Sequence, residues 1–243
     1  MTFIRSLGML SLLFLLVLSC KTKPIKTAST TSPNALSGVE KALGWTSLFD
    51  GSSMDQWRLY NGQGMEGWTI RDGVMVALGI EGKSADAITI DTFRNFELRL
   101  EWNISEGGNS GIFYNVREGE GLTGVYQSGP EYQLIDDDGF PHPLEDWQKT
   151  AANYAMHPPK IKAYNPQGTW NTSRIIVDEG MVQHWLNDRL IVRYELWTEE
   201  WKTLKDAGKW KEHPSYGIFP SGHIALQDHG NEISFRNIKI RKL

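Results

Sequence analysis

Apolar and polar residues alternate along much of the chain, and a period of two is typical of half-buried β-strands. Residues 96–104 place every apolar side chain on one face and every polar side chain on the other. Residues 110–116 and 130–135 predict two more strands, the second opened by Pro130. Residues 174–195 predict a three-stranded meander, because Asp, Gly and Asn clusters near 178–180 and 187–188 favour tight turns.

The end of the chain predicts a strand, a turn and a final strand. Ile224 and Leu226 share one face, whereas Gln227 and His229 lie on the other. In the last strand the alternation slips by one residue across Arg236 and Asn237, which indicates a β-bulge. Polar side chains on a sheet face that could hold core residues indicate a binding face.

Two segments depart from the strand pattern. Residues 198–207 predict a short helix that Gly208 ends. Residues 137–170 form a long polar, aromatic and proline-bearing excursion, and loops of this length are usually functional or mobile. Together the patterns predict an all-β sandwich or jelly roll of two antiparallel sheets, with one short helix and one long loop.

The first residues predict an export signal that is not part of the folded domain. Residues 1–19 combine Arg5 with an apolar run too short to span a bilayer, as in a signal peptide. The apolar run leads into Leu18-Ser19-Cys20, which resembles a lipobox with Cys20 as the lipidated residue. An ordinary secretory signal is the alternative. Residues 20–43 predict a flexible linker, and residues 44–243 a single domain.

Composition excludes some chemistry and some classes of binding partner. Cys20 is the only cysteine, so an intrachain disulfide and a thiol nucleophile in the domain are excluded. Without residues 1–19 the chain has 24 basic and 29 acidic residues, a net charge of −5, and its dispersed basic residues argue against nucleic-acid binding. Ten Trp and eight Tyr suit a β core and also suit sugar binding. We expect a membrane contact through the lipid anchor only, facing the periplasm, because no acidic run follows Cys20. The sequence does not indicate an oligomeric state.

Two pairs of polar residues form the candidate site. Glu131 and Gln133 share a strand face, as do Gln227 and His229, and the four converge if their strands lie in one sheet. Glu131 could instead be a solvated edge carboxylate, and His229 a structural histidine at a strand end. His184 shares an apolar face, which favours a buried, hydrogen-bonded histidine over a ligand-facing one.

Seven motifs in order resemble one family. They are Gly44 to Gly51 with Trp57, Gly67-Trp68, Asn109 to Tyr114, Gly129 to Leu134, Gly168 to Asn171, His184 to Asn187, and Ile224 to Gly230 with Phe235 to Ile238. Together they resemble the 3-keto-disaccharide hydrolases over residues 44–243. The resemblance implies a concanavalin-like jelly roll that acts on glycosides whose C3 hydroxyl is oxidised to a ketone. Asn115, a substrate-binding candidate, stands where the family often has Arg.

This implied chemistry needs an acid, a base and a charge at the ketone. A C3 ketone acidifies the C2 proton, and its removal expels the C1 substituent by β-elimination, with or without later addition of water. Our hypothesis assigns Glu131 or His229 as base and the other as acid, each worth about 10²–10⁴-fold in rate. Gln133 and Gln227 would bind hydroxyls of a small carbohydrate substrate.

Further candidates supply charge and contacts. Lys149 and Arg236 are the cations considered for the enolate oxygen, although both could be structural, and Tyr154 on the excursion is another substrate-binding candidate. The sequence identifies no cofactor with certainty. A divalent metal held by Glu131, His229 and a neighbouring oxygen is possible. The run of aspartates at 136–138 could bind a hard cation, but acidic turns are far commoner.

Two other functions stay open. An ordinary glycosidase would need two carboxylates flanking the bond, and no second carboxylate pairs with Glu131 in the strand pattern. A non-catalytic carbohydrate-binding lipoprotein would need only the fold, because jelly rolls also host lectins.

Overall fold

A computed structural model describes residues 33–80 and 85–243. The predicted signal peptide, Cys20 and most of the predicted linker lie outside the described residues. The helices and strands are α1 (Gly38–Ala42), β1 (Thr46–Ser47), β2 (Trp57–Leu59), β3 (Trp68–Arg71), β4 (Val74–Ala77), β5 (Ala87–Thr89), β6 (Phe96–Ile104), β7 (Asn109–Val116), β8 (Glu131–Ile135), β9 (Asn171–Asp178), β10 (Met181–Leu186), β11 (Arg189–Glu195), α2 (Glu199–Ala207), β12 (His223–Leu226) and β13 (Ile233–Lys242).

The strands form two antiparallel sheets, which confirms the predicted jelly-roll sandwich. The larger sheet has the order β11-β10-β9-β6-β13-β4-β3, with β1 paired to β13, and the smaller sheet has the order β2-β5-β12-β7-β8. The alternating residues of β6 account for the layers: Leu98 and Trp102 are buried in the core between the sheets, whereas Arg99 stays on the outer face. Burial of such side chains is the main favourable term in folding.

The predicted bulge in the last strand is present. The pairing of β13 with β6 shifts between Arg236 and Lys239, and Asn237 has a φ of 53°. The extra residue returns Ile238 and Ile240 to the core, where both are buried. The meander of residues 171–195 and helix α2, capped by the Thr198 side chain, also follow their patterns.

The predicted linker ends earlier than residue 43, which corrects the sequence-based boundary. Residues 38–42 form α1, which begins with a capping box between Ser37 and Glu40. Asn34 is 4% exposed, and its amide donates to the Gly73 carbonyl at 2.7 Å and accepts from the Asn237 backbone N–H at 2.7 Å. The described start of the chain is therefore packed on the domain.

Neither α1 nor α2 is long and apolar enough to cross a membrane, and the described residues contain no other helix that is.

The long excursion after β8 covers the edge of the smaller sheet. Its Ala151 backbone N–H donates to the Gln133 carbonyl at 2.8 Å, and that of Tyr154 donates to the Glu131 carbonyl at 3.1 Å. Residues 150–154 therefore extend the sheet beyond β8, at the strand that carries the candidate carboxylate.

Candidate active site

Strand β7 brings the two predicted residue pairs together, because it pairs with β8 on one side and with β12 on the other. Glu131 and Gln133 lie opposite Phe113 and Gly111. On the other side the Gln227 backbone N–H donates to the Gly111 carbonyl at 2.9 Å. The condition set by the sequence, that both pairs belong to one sheet, is met.

A pocket of about 220 Å³ opens on the outer face of this sheet. Its floor comes from β7, β8 and the segment after β12. Its walls come from the excursion, the turn at Val125–Gln127 and the segment after α2. The lining residues are Asn109, Tyr126, Glu131, Gln133, Tyr154, Lys209, Trp210, Gln227 and His229.

Glu131 is the buried titratable group of the pocket, with 6% of its surface exposed. Burial raises the pKa of its carboxyl to about 8; the positive charge of Lys209 opposes this rise and the carboxyl of Asp86 adds to it. The side chain thus holds a proton at neutral pH. A carboxyl whose pKa lies near the working pH is suited to proton transfer.

Two further carboxyls, those of Asp86 and Asp228, lie behind the segment that carries Gln227 and His229. The Asp228 backbone N–H donates to the Asp86 carboxyl at 3.1 Å, and the Asp228 carboxyl accepts from the Gly230 backbone N–H at 3.1 Å. Burial raises the pKa of Asp86 to about 7; the hydrogen bond from the Asp228 backbone N–H opposes this rise and the Asp228 carboxyl adds to it. Asp228 is buried, so it supports this segment instead of facing the pocket.

Three amide oxygens of the pocket lack hydrogen-bond donors. They are Oδ1 of Asn109, Oε1 of Gln133 and Oε1 of Gln227, each buried and without a partner among the residues that the structure describes. A buried acceptor without a donor costs about 1–3 kcal/mol. Oxygens of this kind are prepared to accept hydrogen bonds from a ligand.

The rings of Tyr154 and Trp210 and the ammonium of Lys209 form one wall of the pocket. The Trp210 indole donates to the Tyr154 carbonyl at 3.1 Å, which ties the segment after α2 to the excursion. The Lys209 ammonium lies 4.4 Å from the centroid of the Tyr154 ring and 5.0 Å from that of Trp210. Cation–π attraction therefore holds the ammonium at the pocket wall.

The two cations predicted from the sequence lie elsewhere, which corrects their placement. Lys149 pairs with Asp146 at 2.5 Å and lines a separate cleft within the excursion. Arg236 lies on β13 of the other sheet, where it pairs with Glu101 at 2.7 Å and stacks on Trp170. Their partners account for both side chains structurally.

His184 and Asn115 also lie outside the pocket lining. His184 is fully buried in the core: its Nε2 accepts from the Tyr114 hydroxyl at 2.9 Å and its Nδ1 donates to the Ala151 carbonyl at 3.1 Å. Burial lowers its pKa to about 3, so the imidazole is neutral. Asn115 is fully buried at an irregularity of β7, with a φ of 57°. Both residues were also candidates for substrate binding, and neither is among the residues that line the pocket.

Sequence reasoning missed four lining residues. Asn109 shares a strand phase with Gly111 and could have been found from that period of two. Tyr126 lies on a short 3-10 helix at Val125–Gln127, and Lys209 and Trp210 lie on another at Lys209–Glu212; no local pattern predicts where such short helices point. Among the described residues no group of three or more His, Cys, Asp or Glu side chains is placed to hold a metal ion.

The fold and the pocket define a concanavalin-like jelly-roll protein with a polar, aromatic-walled site for a small ligand. A family model described as the 3-keto-alpha-glucoside-1,2-lyase-like domain matches residues 44–241, and the chain belongs to this family.

Relatives and solved structures agree with this assignment. The chain is 34% identical over 228 residues to a 3-keto-disaccharide hydrolase of Bacteroides thetaiotaomicron, covering 82% of this chain and 79% of the relative. A solved structure of a Parabacteroides distasonis protein, assigned provisionally to the glycosyl hydrolases, has 41% identity and a TM-score of 0.82, covering 86% of this chain and 99% of that one. A second from the same species has 25% identity and a TM-score of 0.65, with 82% and 99% covered.

Proposed function

We propose that this protein cleaves the glycosidic bond of 3-keto glycosides by removing the C2 proton and expelling the C1 substituent. The observation that carries the proposal is the buried carboxyl of Glu131, whose pKa burial raises, in a pocket that His229 also lines. Membership of the family and the name of the Bacteroides relative support the substrate class.

The reaction proceeds in two bond-changing steps. A base takes the C2 proton, and the electron pair of the C2–H bond moves toward the ketone to form an enolate. The enolate then reforms the carbonyl and expels the oxygen at C1, which takes a proton from an acid. The first product is an unsaturated keto sugar, and addition of water at C1 would complete hydrolysis.

The burial of Glu131 and the exposed position of His229 assign the two roles. Glu131 is the acid, because burial keeps its proton through neutral pH and so makes it available to the leaving oxygen. His229 is the base: it lies at the exposed rim of the pocket, where a proton taken from C2 can pass to water. Gln133 and Gln227 hold hydroxyls of the ring through their buried amide oxygens.

An ordinary glycosidase fits the pocket less well. That mechanism needs two carboxyl groups about 5–9.5 Å apart across the bond. Of the described residues that line the pocket, Glu131 is the only carboxylic acid. The acid–base pair of a carboxyl and an imidazole suits elimination next to a ketone, and it exceeds what a carbohydrate-binding module requires.

Glu131→Gln and His229→Ala test the assignment on a 3-keto-glucoside, with release of the leaving group as the readout. Each should lower kcat by about 10²–10⁴-fold while the far-ultraviolet circular dichroism spectrum is unchanged. Lys149→Ala, outside the pocket, is the control and should keep the wild-type rate. Two variants at near wild-type rate would refute the roles, and equal turnover of an unoxidised glucoside would favour the ordinary glycosidase.

We also propose that the chain is exported and anchored by a lipid on Cys20, facing the periplasm. The support is the apolar run that ends in Leu18-Ser19-Cys20 and the acid-poor sequence that follows. Labelling with a fatty-acid analogue in cells should mark the wild type and not Cys20→Ala. Equal labelling of both would exclude this anchor.

A further inference from the structure

The pocket has an imbalance of hydrogen-bonding groups that a particular ligand would correct. Asn109, Gln133 and Gln227 present buried amide oxygens, and these atoms have no donors among the described residues. The hydroxyl or amine protons of a ligand can satisfy such acceptors. Because each unpaired acceptor is costly, a ligand that supplies three donors is favoured over one that supplies fewer.

Lys209 presents the opposite property. Its ammonium has three donors and no acceptor. It rests against the Tyr154 and Trp210 rings, and none of the ion pairs found in the described ranges involves it. It is also close enough to Glu131 for its charge to act on that carboxyl. An acceptor that has no proton of its own is the group that this position favours.

A 3-keto sugar ring has one such group among several hydroxyls. A hydroxyl both donates and accepts, whereas a ketone oxygen only accepts. A ketone placed against one of the three amide oxygens would leave two acceptors facing each other, so the ring binds best with its ketone at Lys209.

We propose that Lys209 is the residue that selects the ketone and stabilises the enolate oxygen. This inference rests on the proposed function, since it concerns the same site. When the C2–H bond breaks, its electron pair forms the C2–C3 double bond and the carbonyl pair moves to the C3 oxygen, where the negative charge meets the ammonium. When the carbonyl reforms, the C1–O bond breaks and the leaving oxygen takes the proton of Glu131. A donor placed at a developing oxyanion is worth about 10²–10³-fold in kcat.

Equilibrium binding of 3-keto-glucose and of glucose, measured by titration calorimetry, tests the selection directly. The wild type should bind the keto sugar at least about tenfold more tightly, a difference of about 1.4 kcal/mol. Lys209→Met should bind both sugars with nearly equal affinity, and Lys209→Arg should restore part of the preference by restoring the charge. Lys149→Met, the matched control outside the pocket, should keep the full preference. Because Lys209 is exposed, its replacement leaves the core intact.

The outcomes separate this inference from the proposed function. If Lys209→Met keeps both the binding preference and the wild-type kcat on a 3-keto-glucoside, the Lys209 assignment is overturned while the function stands. If the wild type prefers the keto sugar through Lys209 but releases no leaving group, the selection stands and the catalytic proposal fails. Equal binding of both sugars by the wild type also overturns the selection.

Discussion

The carboxyl of Glu131 lies directly over Gly111 of the neighbouring strand: a Cβ at position 111 would lie 2.5 Å from Oε1 of Glu131. The glycine leaves the space in which the carboxyl sits. Because β7 is the strand between the two predicted pairs, the placement of the Glu131 carboxyl depends on a residue with no side chain of its own.

Gly111→Ala should therefore displace Glu131 and lower kcat by about tenfold or more, with a smaller effect on KM, since small misplacements of catalytic groups are costly. Steady-state kinetics on a 3-keto-glucoside measures the effect, and thermal unfolding shows whether the fold persists. Gly38→Ala is a matched control, because its Cβ would meet nothing within 4 Å and its φ is not in the left-handed region. A wild-type kcat in Gly111→Ala would contradict the importance of this space.

The pH dependence of the reaction should report the carboxyl of Glu131. As the acid, it must carry its proton, and its pKa is about 8. We therefore expect kcat/KM to fall as the pH rises through about 8, measured with the leaving group released in a buffer series. A rate that instead increases through this range would assign Glu131 as the base.

The charges around Glu131 should move its pKa in opposite directions. Lys209 lowers this pKa and Asp86 raises it. Lys209→Gln should therefore shift the titration of Glu131 to higher pH, and Asp86→Asn should shift it to lower pH. Carbon-detected NMR of labelled glutamate measures both shifts without any assay of activity. Shifts in the same direction would show that the two charges do not act in this way.

Glu131 should also make folding stability depend on pH. Its pKa is raised from 4.5 in the unfolded chain to about 8 in the fold, so the fold binds the additional proton between these values. That contribution is fully present below pH about 4.5 and is lost as the pH rises through about 8. Glu131→Gln cannot titrate, so its stability relative to the wild type should improve with rising pH, by at most about 1.4 kcal/mol per pH unit. Urea unfolding at several pH values measures this difference, and a constant difference would contradict it.

His184 should matter for stability and not for chemistry. His184→Phe keeps an aromatic ring but leaves the Ala151 carbonyl without its donor, which should cost about 1–3 kcal/mol in the free energy of unfolding. Urea denaturation measures the loss, and kcat per folded molecule should stay near the wild-type value. His229→Ala should show the reverse pattern. A large loss of kcat in folded His184→Phe would place this histidine in the chemistry.

The sequence by itself determined the layers of this protein. The period of two in β6, the slip of phase at Arg236 and the turn residues of the meander are local properties, and each is set by which face of a strand is buried. The same rule placed Glu131 beside Gln133, and Gln227 beside His229, on shared faces. Family motifs then indicated the substrate class.

Only the tertiary structure decided which faces meet and which charges enter the pocket. Pairing of β7 with both β8 and β12 joined the two residue pairs, and the segment after α2 brought Lys209 to the wall while Lys149 and Arg236 found partners elsewhere. The sequence placed the end of the linker too late for the same reason, because Asn34 is held by hydrogen bonds to Gly73 and Asn237, which are distant in sequence. Strand phase depends on neighbours in sequence, whereas the environment of a side chain depends on segments that are distant in sequence.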